Sequence, residues 1–90
     1  ELLQKEHILV CGDQNNTEIQ SCKQWIHKER SETEIGDLLS RDSKTLELSK
    51  HKDGIILVVQ LGASTYSEII RELQVCQLQN LKILGAIVID

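Results

Sequence analysis

Proline, methionine and phenylalanine are all missing from this 90-residue sequence, and Trp25 and Tyr66 are its only tryptophan and tyrosine. With so few aromatic rings, the chain has no stacking platform for nucleic-acid bases. Its 10 lysines and arginines are scattered along the chain and are outnumbered by 14 acidic residues, which gives a formal net charge of -4. Nucleic acid is therefore not an expected partner.

Long apolar stretches are also missing. The first residues are polar and no apolar run approaches the length of a membrane span, so we expect no signal peptide and no direct insertion into a membrane. The lack of methionine and the end at Asp90, directly after an apolar run, predict a single domain over residues 1–90 that is an excerpt of a longer protein. A signal peptide or a transmembrane helix could lie in the part of that longer protein outside residues 1–90.

Cysteine is present in an odd number, as Cys11, Cys22 and Cys76. The three residues lack the short paired spacing of a zinc site or a C-x-x-C redox motif. We interpret them as reduced thiols packed as small apolar groups, as in a cytoplasmic protein.

The chain is organised around residues 53–90, which predict a strand, a helix and a second strand. Ile55 to Val59 is an unbroken apolar run rich in β-branched residues, as in a strand that is buried on both faces. A second apolar run extends from Ile83 to Ile89, and the segment between the runs is long enough for a crossover helix. The pattern predicts one right-handed βαβ unit in a parallel sheet.

The crossover helix has a clear start, because Thr65 and Glu68 are spaced as in a capping box. An apolar stripe at helical spacing is expected to face the sheet; its members are Tyr66, Ile69, Ile70, Leu73 and Cys76. Solvent-facing positions are predicted at Arg71, Glu72, Gln74 and Gln77. Val75 and Leu78 project away from the stripe, so they either contact a neighbouring element or form an outward apolar surface.

The first half of the chain predicts another α/β unit. His7 to Cys11 is a short apolar strand, Gly12 to Asn16 is a loop, and Thr17 to about Arg30 is a helix capped by an Asn or Thr. This helix is expected to direct Ile19, Cys22, Trp25 and Ile26 to the core. Residues 31–52 predict a short helix or an irregular connection. The fold class is therefore a small three-layer α/β domain, Rossmann-like or flavodoxin-like, with helices on both faces of a short, mainly parallel sheet of at least three strands.

Phosphate-binding loops are not found. The loop after the first strand has only Gly12, and neither G-x-x-x-x-G-K-[ST] nor G-x-G-x-x-G occurs, so no nucleotide cofactor is expected. The three histidines are predicted to be surface residues. Four aspartates could in principle bind magnesium, but we interpret them as capping and turn residues; they are Asp13, Asp37, Asp42 and Asp53.

Cys11 supplies the alternative, enzymatic hypothesis. A thiol between a strand end and a helix N-terminus can have a lowered pKa and act as a nucleophile. The Cys11-Gly12 pair resembles the phosphocysteine loop of sugar phosphotransferase IIB domains, which implies a phosphocarrier that uses Cys11. Asp13 would oppose such an anion, and Gln14-Asn15-Asn16 replaces the small residues of that family's loop. A buried strand-end cysteine is the favoured interpretation.

A broader resemblance covers a little under half of the chain. Asp53-Gly54 before the Ile/Val-rich strand, Gly62 and Thr65 in the next loop, Leu73, and the segment Ile83 to Val88 resemble the C-terminal part of the bacterial tyrosine kinase and polysaccharide co-polymerase ATPases. These are P-loop proteins of the MinD and ParA branch. That family's P-loop lysine, its Asp-x-Pro-Pro segment and its tyrosine cluster have no counterpart here.

The resemblance therefore implies a shortened relative without catalytic residues. It implies a cytoplasmic interaction or regulatory module of a capsule or exopolysaccharide chain-length or export protein, tethered to the membrane through other sequence. We expect a protein partner, either a membrane polysaccharide-assembly protein or a second copy of the chain. The predicted partner or ligand surface consists of Gly12, Asp13, Asn15, Asn16, Gly62, Ser64, Thr65, Val75 and Leu78.

Overall fold

The computed structural model describes residues 7–30 and 32–90. Residues 1–6, which open the predicted single domain, lie outside the described part. Seven elements alternate along the chain: β1 (Ile8–Cys11), α1 (Thr17–Glu29), β2 (Thr33–Gly36), α2 (Ser43–Ser49), β3 (Gly54–Gln60), α3 (Tyr66–Leu78) and β4 (Ile83–Ile89).

All strand pairings are parallel, and the strands lie in the order β2-β1-β3-β4. One face of the sheet packs on α1 through a cluster that includes Val10, Ile19 and Val58. The other face packs on α2 and α3 around Leu9 and Leu57. The three-layer α/β class and the helices on both faces are thus confirmed.

Local signals in the sequence explain where the helices begin and end. Asn16 caps α1 by accepting from the N–H groups of Glu18 and Ile19, and Thr65 and Glu68 form the predicted capping box of α3. Helix α3 ends at Leu78, and Asn80, two residues further on, has a left-handed φ of 57°. The N–H of Asn80 then bonds the carbonyl of Gln77, and that of Leu81 bonds Cys76, which is the Schellman arrangement.

Residues 32–52 hold more structure than the sequence predicted. They contain the strand β2 and the helix α2, which Asp42 caps. Strand β2 was missed because Thr33-Glu34-Ile35-Gly36 is short and polar, and its place in the sheet comes from pairing with β1. Asp42 is thus the capping residue that the sequence predicted, whereas the Asp53 carboxylate accepts from the distant N–H of His7 and links the starts of β1 and β3.

The predicted burial of several side chains is wrong. Trp25 is 61% exposed, Tyr66 80% and Leu73 40%, whereas Glu72 is buried. In each of the two long helices, a long charged side chain occupies the stripe that faces the sheet: Lys23 in α1 and Glu72 in α3. The charged end of each side chain reaches backbone groups at the sheet edge. The apolar residues beside that stripe are rotated away from the core.

Strand β4 is confirmed as a strand, but it is not buried on both faces. It lies at the edge of the sheet, and Ile83, Leu84 and Val88 are among its exposed side chains. Its apolar composition resembles that of the central strand β3. For that reason the sequence pattern does not distinguish the uncovered edge strand from the central one. The three histidines are exposed, as predicted.

Candidate functional site: the carboxyl edge of the sheet

The sheet order places a topological switch point between β1 and β3. The connections from these two neighbouring strands run to opposite sides of the sheet, which leaves a crevice beyond their carboxyl ends. Ligands of open α/β sheets bind in this kind of crevice. Here it is bordered by residues 12–16 after β1, 37–42 after β2 and 61–65 after β3.

Lys23 lies under the crevice and is fully buried. Its Nζ donates to the carbonyl oxygens of Gly12, at 2.9 Å, and Gly36, at 2.8 Å, and so joins the ends of β1 and β2. Burial lowers the pKa of Lys23, and the nearby carboxylate of Asp37 opposes that shift. This ammonium has a structural role as a clamp between two strand ends.

Gly12 is required at the base of the same loop. A Cβ on Gly12 would lie 2.6 Å from Cγ2 of Ile19 and 3.1 Å from the carbonyl oxygen of Val58. The glycine therefore lets the β1 loop pass between α1 and β3, where a side chain would force them apart. Gly12 is buried and presents no side chain to a ligand.

Above Lys23, Arg41 bridges two carboxylates. Its guanidinium lies 2.5 Å from Oδ1 of Asp13 and 3.0 Å from Oδ1 of Asp37. Asp37 is buried and also accepts from the N–H groups of Gln14, at 3.1 Å, and Leu38, at 2.7 Å. The ion-pair cluster of Asp13, Asp37 and Arg41 closes the crevice between the loops after β1 and β2.

The pKa values of both carboxyls lie below the ordinary value of 3.8. Burial acts to raise each pKa, but hydrogen bonds from Arg41 and from backbone N–H groups outweigh it. In return, the hydrogen bonds to Asp37 and Asp13 raise the pKa of Arg41. The cluster is therefore fully ionised at neutral pH.

Arg41→Gln should make the protein more sensitive to acid. Since both folded-state pKa values are depressed, the stabilisation is complete above the unfolded value of 3.8 and is lost as the pH falls through the folded values. Arg41 is 42% exposed, so screening limits the loss at neutral pH to about 1 kcal/mol. In an acid titration monitored by circular dichroism, Arg41→Gln should unfold with its midpoint at a higher pH than the control Arg71→Gln. Equal midpoints would contradict the role of the cluster.

On the other side of the switch point, Gln60 connects the loops after β1 and β3. Nδ2 of Asn16 donates to Oε1 of Gln60 at 2.7 Å, and Nε2 of Gln60 donates to the Glu18 carboxylate. The backbone N–H of Gln60 donates to Oγ of Ser64 at 3.0 Å. Asn16 and Ser64, predicted as surface residues from separate segments, thus lie in one hydrogen-bond network. Their polar groups form hydrogen bonds within the chain, to Gln60.

Little space remains between these networks. The crevice retains a cavity of about 10 Å³, lined by Asp13, Ser64, Glu68 and Glu72 among others, which is room for about one water molecule. Within residues 7–30 and 32–90, no group of three or more His, Cys, Asp or Glu side chains is arranged to hold a metal ion. The switch point is occupied by the chain's own side chains.

Glu72 extends from α3 into the wall of this cavity. Its Oε1 accepts from the N–H of Leu39 at 2.7 Å, and its Oε2 accepts from the N–H of Ser40 at 2.9 Å and from the Ser40 hydroxyl. The carboxylate therefore holds the turn between β2 and α2. The sequence pattern predicts a solvent-facing position for Glu72, and the only local sign of its burial is its place among apolar residues.

Cys11 lies beneath the crevice and has no exposed surface. Burial, together with the nearby carboxylate of Glu72, raises the pKa of its thiol far above the ordinary value. A nucleophilic cysteine requires the opposite shift and an accessible sulfur. The geometry at Cys11 therefore favours the interpretation as a packed strand-end thiol.

The remaining predicted surface residues do not gather at one place. Gly62, with a left-handed φ of 84°, and Thr65 lie in the loop after β3, and Asn15 is exposed in the loop after β1. Val75 is half-buried against the core under α3. Leu78 is 82% exposed at the far end of that helix.

A larger groove of about 260 Å³ lies at the opposite, amino edge of the sheet. It is lined by Lys50, Lys52 and Lys82 among others. Lys50 pairs with Glu47 at 3.7 Å and Lys52 pairs with Glu34. This edge, where α2 and α3 end, is not the one at which open α/β sheets bind ligands.

Comparisons with protein-family models, with curated proteins and with solved structures found no match to this chain. Fold and site together define a small doubly wound α/β domain whose switch point is closed by its own ion pairs and hydrogen bonds. In the part of the chain that the structure describes, no helix has both the length and the apolar composition to cross a membrane.

Proposed function

We propose that this chain is a non-catalytic interaction or regulatory module. The observation that carries the proposal is the closed switch point, where the crevice that holds the ligand in related architectures retains only about 10 Å³. Lys23 is buried against two carbonyl groups, and the guanidinium of Arg41 is paired with two carboxylates whose negative charge outweighs its own, which disfavours a phosphate at that place.

The surface that remains for a partner is apolar and lies beside the last strand. We call Leu61, Ile83, Leu84 and Val88 the β4 surface; their exposed fractions are 63%, 36%, 40% and 56%. Leu61 joins the strand residues because its N–H donates to the carbonyl of Ile89 at 2.8 Å. Exposed apolar side chains gathered along one edge strand are typical of a protein interaction site.

The resemblance of residues 53–88 to the polysaccharide co-polymerase ATPases supports a more specific proposal. The module acts in the cytoplasm as part of a chain-length or export protein for capsule or exopolysaccharide, tethered through other sequence. Deleting the corresponding gene should change the length distribution of the surface polysaccharide on a gel. An unchanged distribution would remove this assignment and leave the interaction module in place.

Titration with labelled ATP and magnesium tests the absence of nucleotide chemistry. We expect no saturable binding up to millimolar nucleotide, because the chain has no phosphate loop and its switch point is bordered by the ion pairs of Asp13, Asp37 and Arg41. The matched control is Arg41→Gln, which opens the ion-pair cluster without supplying a phosphate site and should also fail to bind. Saturable micromolar binding by the unchanged chain would overturn the non-catalytic proposal.

A further inference from the structure

We draw no further inference here: the strongest candidate, the β4 surface at the edge of the sheet, carries none because nothing in the structure shows what covers these exposed apolar side chains.

Discussion

Glu72→Ala should lower the free energy of unfolding by about 3 to 4 kcal/mol. The Glu72 carboxylate is buried and accepts from the N–H of Leu39, and from the N–H and the hydroxyl of Ser40. Hydrogen bonds to a charged group contribute about 1.5 to 3 kcal/mol each, and their loss would leave the buried N–H of Leu39 unpaired, whereas the donors of the exposed Ser40 can bond water. A domain of this length has a total stability of roughly 5 to 13 kcal/mol, so the loss is a large fraction of it.

Urea denaturation measures this effect, with Gln74→Ala as the matched control. Gln74 lies on the exposed side of the same helix, and its replacement should change the stability by no more than about 0.5 kcal/mol. Glu72→Gln should lie between the two, because the amide keeps one acceptor oxygen and places its NH₂ against an N–H. If Glu72→Ala were as stable as Gln74→Ala, the turn would not depend on this carboxylate.

Lys23→Met is expected to cost about 2 to 3 kcal/mol. Methionine has a similar length and removes the desolvation cost of the ammonium, which acts in favour of the variant. Against this, the Gly12 carbonyl loses the 2.9 Å bond from Lys23, the Gly36 carbonyl keeps only a 3.3 Å bond from the N–H of Gly12, and Asp37 loses a nearby positive charge. Unsatisfied buried acceptors cost about 1 to 3 kcal/mol each, so we expect the loss to exceed the gain.

Lys28→Met is the control for Lys23→Met, since Lys28 is exposed near the end of the same helix. It should be close to neutral in the same urea titration. Hydrogen exchange provides a second readout, because opening the clamp should speed exchange at the ends of β1 and β2 more than in α3. A stability of Lys23→Met equal to that of Lys28→Met would show that the two carbonyl groups find other partners.

Much of the architecture could be predicted because local patterns specify it. The apolar run at Ile55 to Val59, the capping box of Thr65 and Glu68, and the cap before Thr17 predicted the central strand and both long helices. Strand β2 could not be predicted, because a segment as polar as Thr33 to Gly36 is a strand only when β1 pairs with it.

The candidate site was predicted only in part, for a similar reason. The sequence indicated Asp13, Asn16 and Ser64, which do lie at the switch point. Arg41 and Gln60 were missed because their roles depend on loops that are distant in sequence. Lys23 and Glu72 were missed because a charged side chain within an apolar stripe is normally assigned to the surface.

The sequence by itself determined the class of this protein: an α/β domain without a phosphate loop, without a basic surface and with a parallel sheet. These properties follow from composition and from the spacing of neighbouring residues, which the chain carries in any conformation. Only the tertiary structure decided which apolar strand is covered and which charges are buried. The β4 surface and the closed switch point arise from the strand order and from contacts between distant segments, which periodicity does not encode.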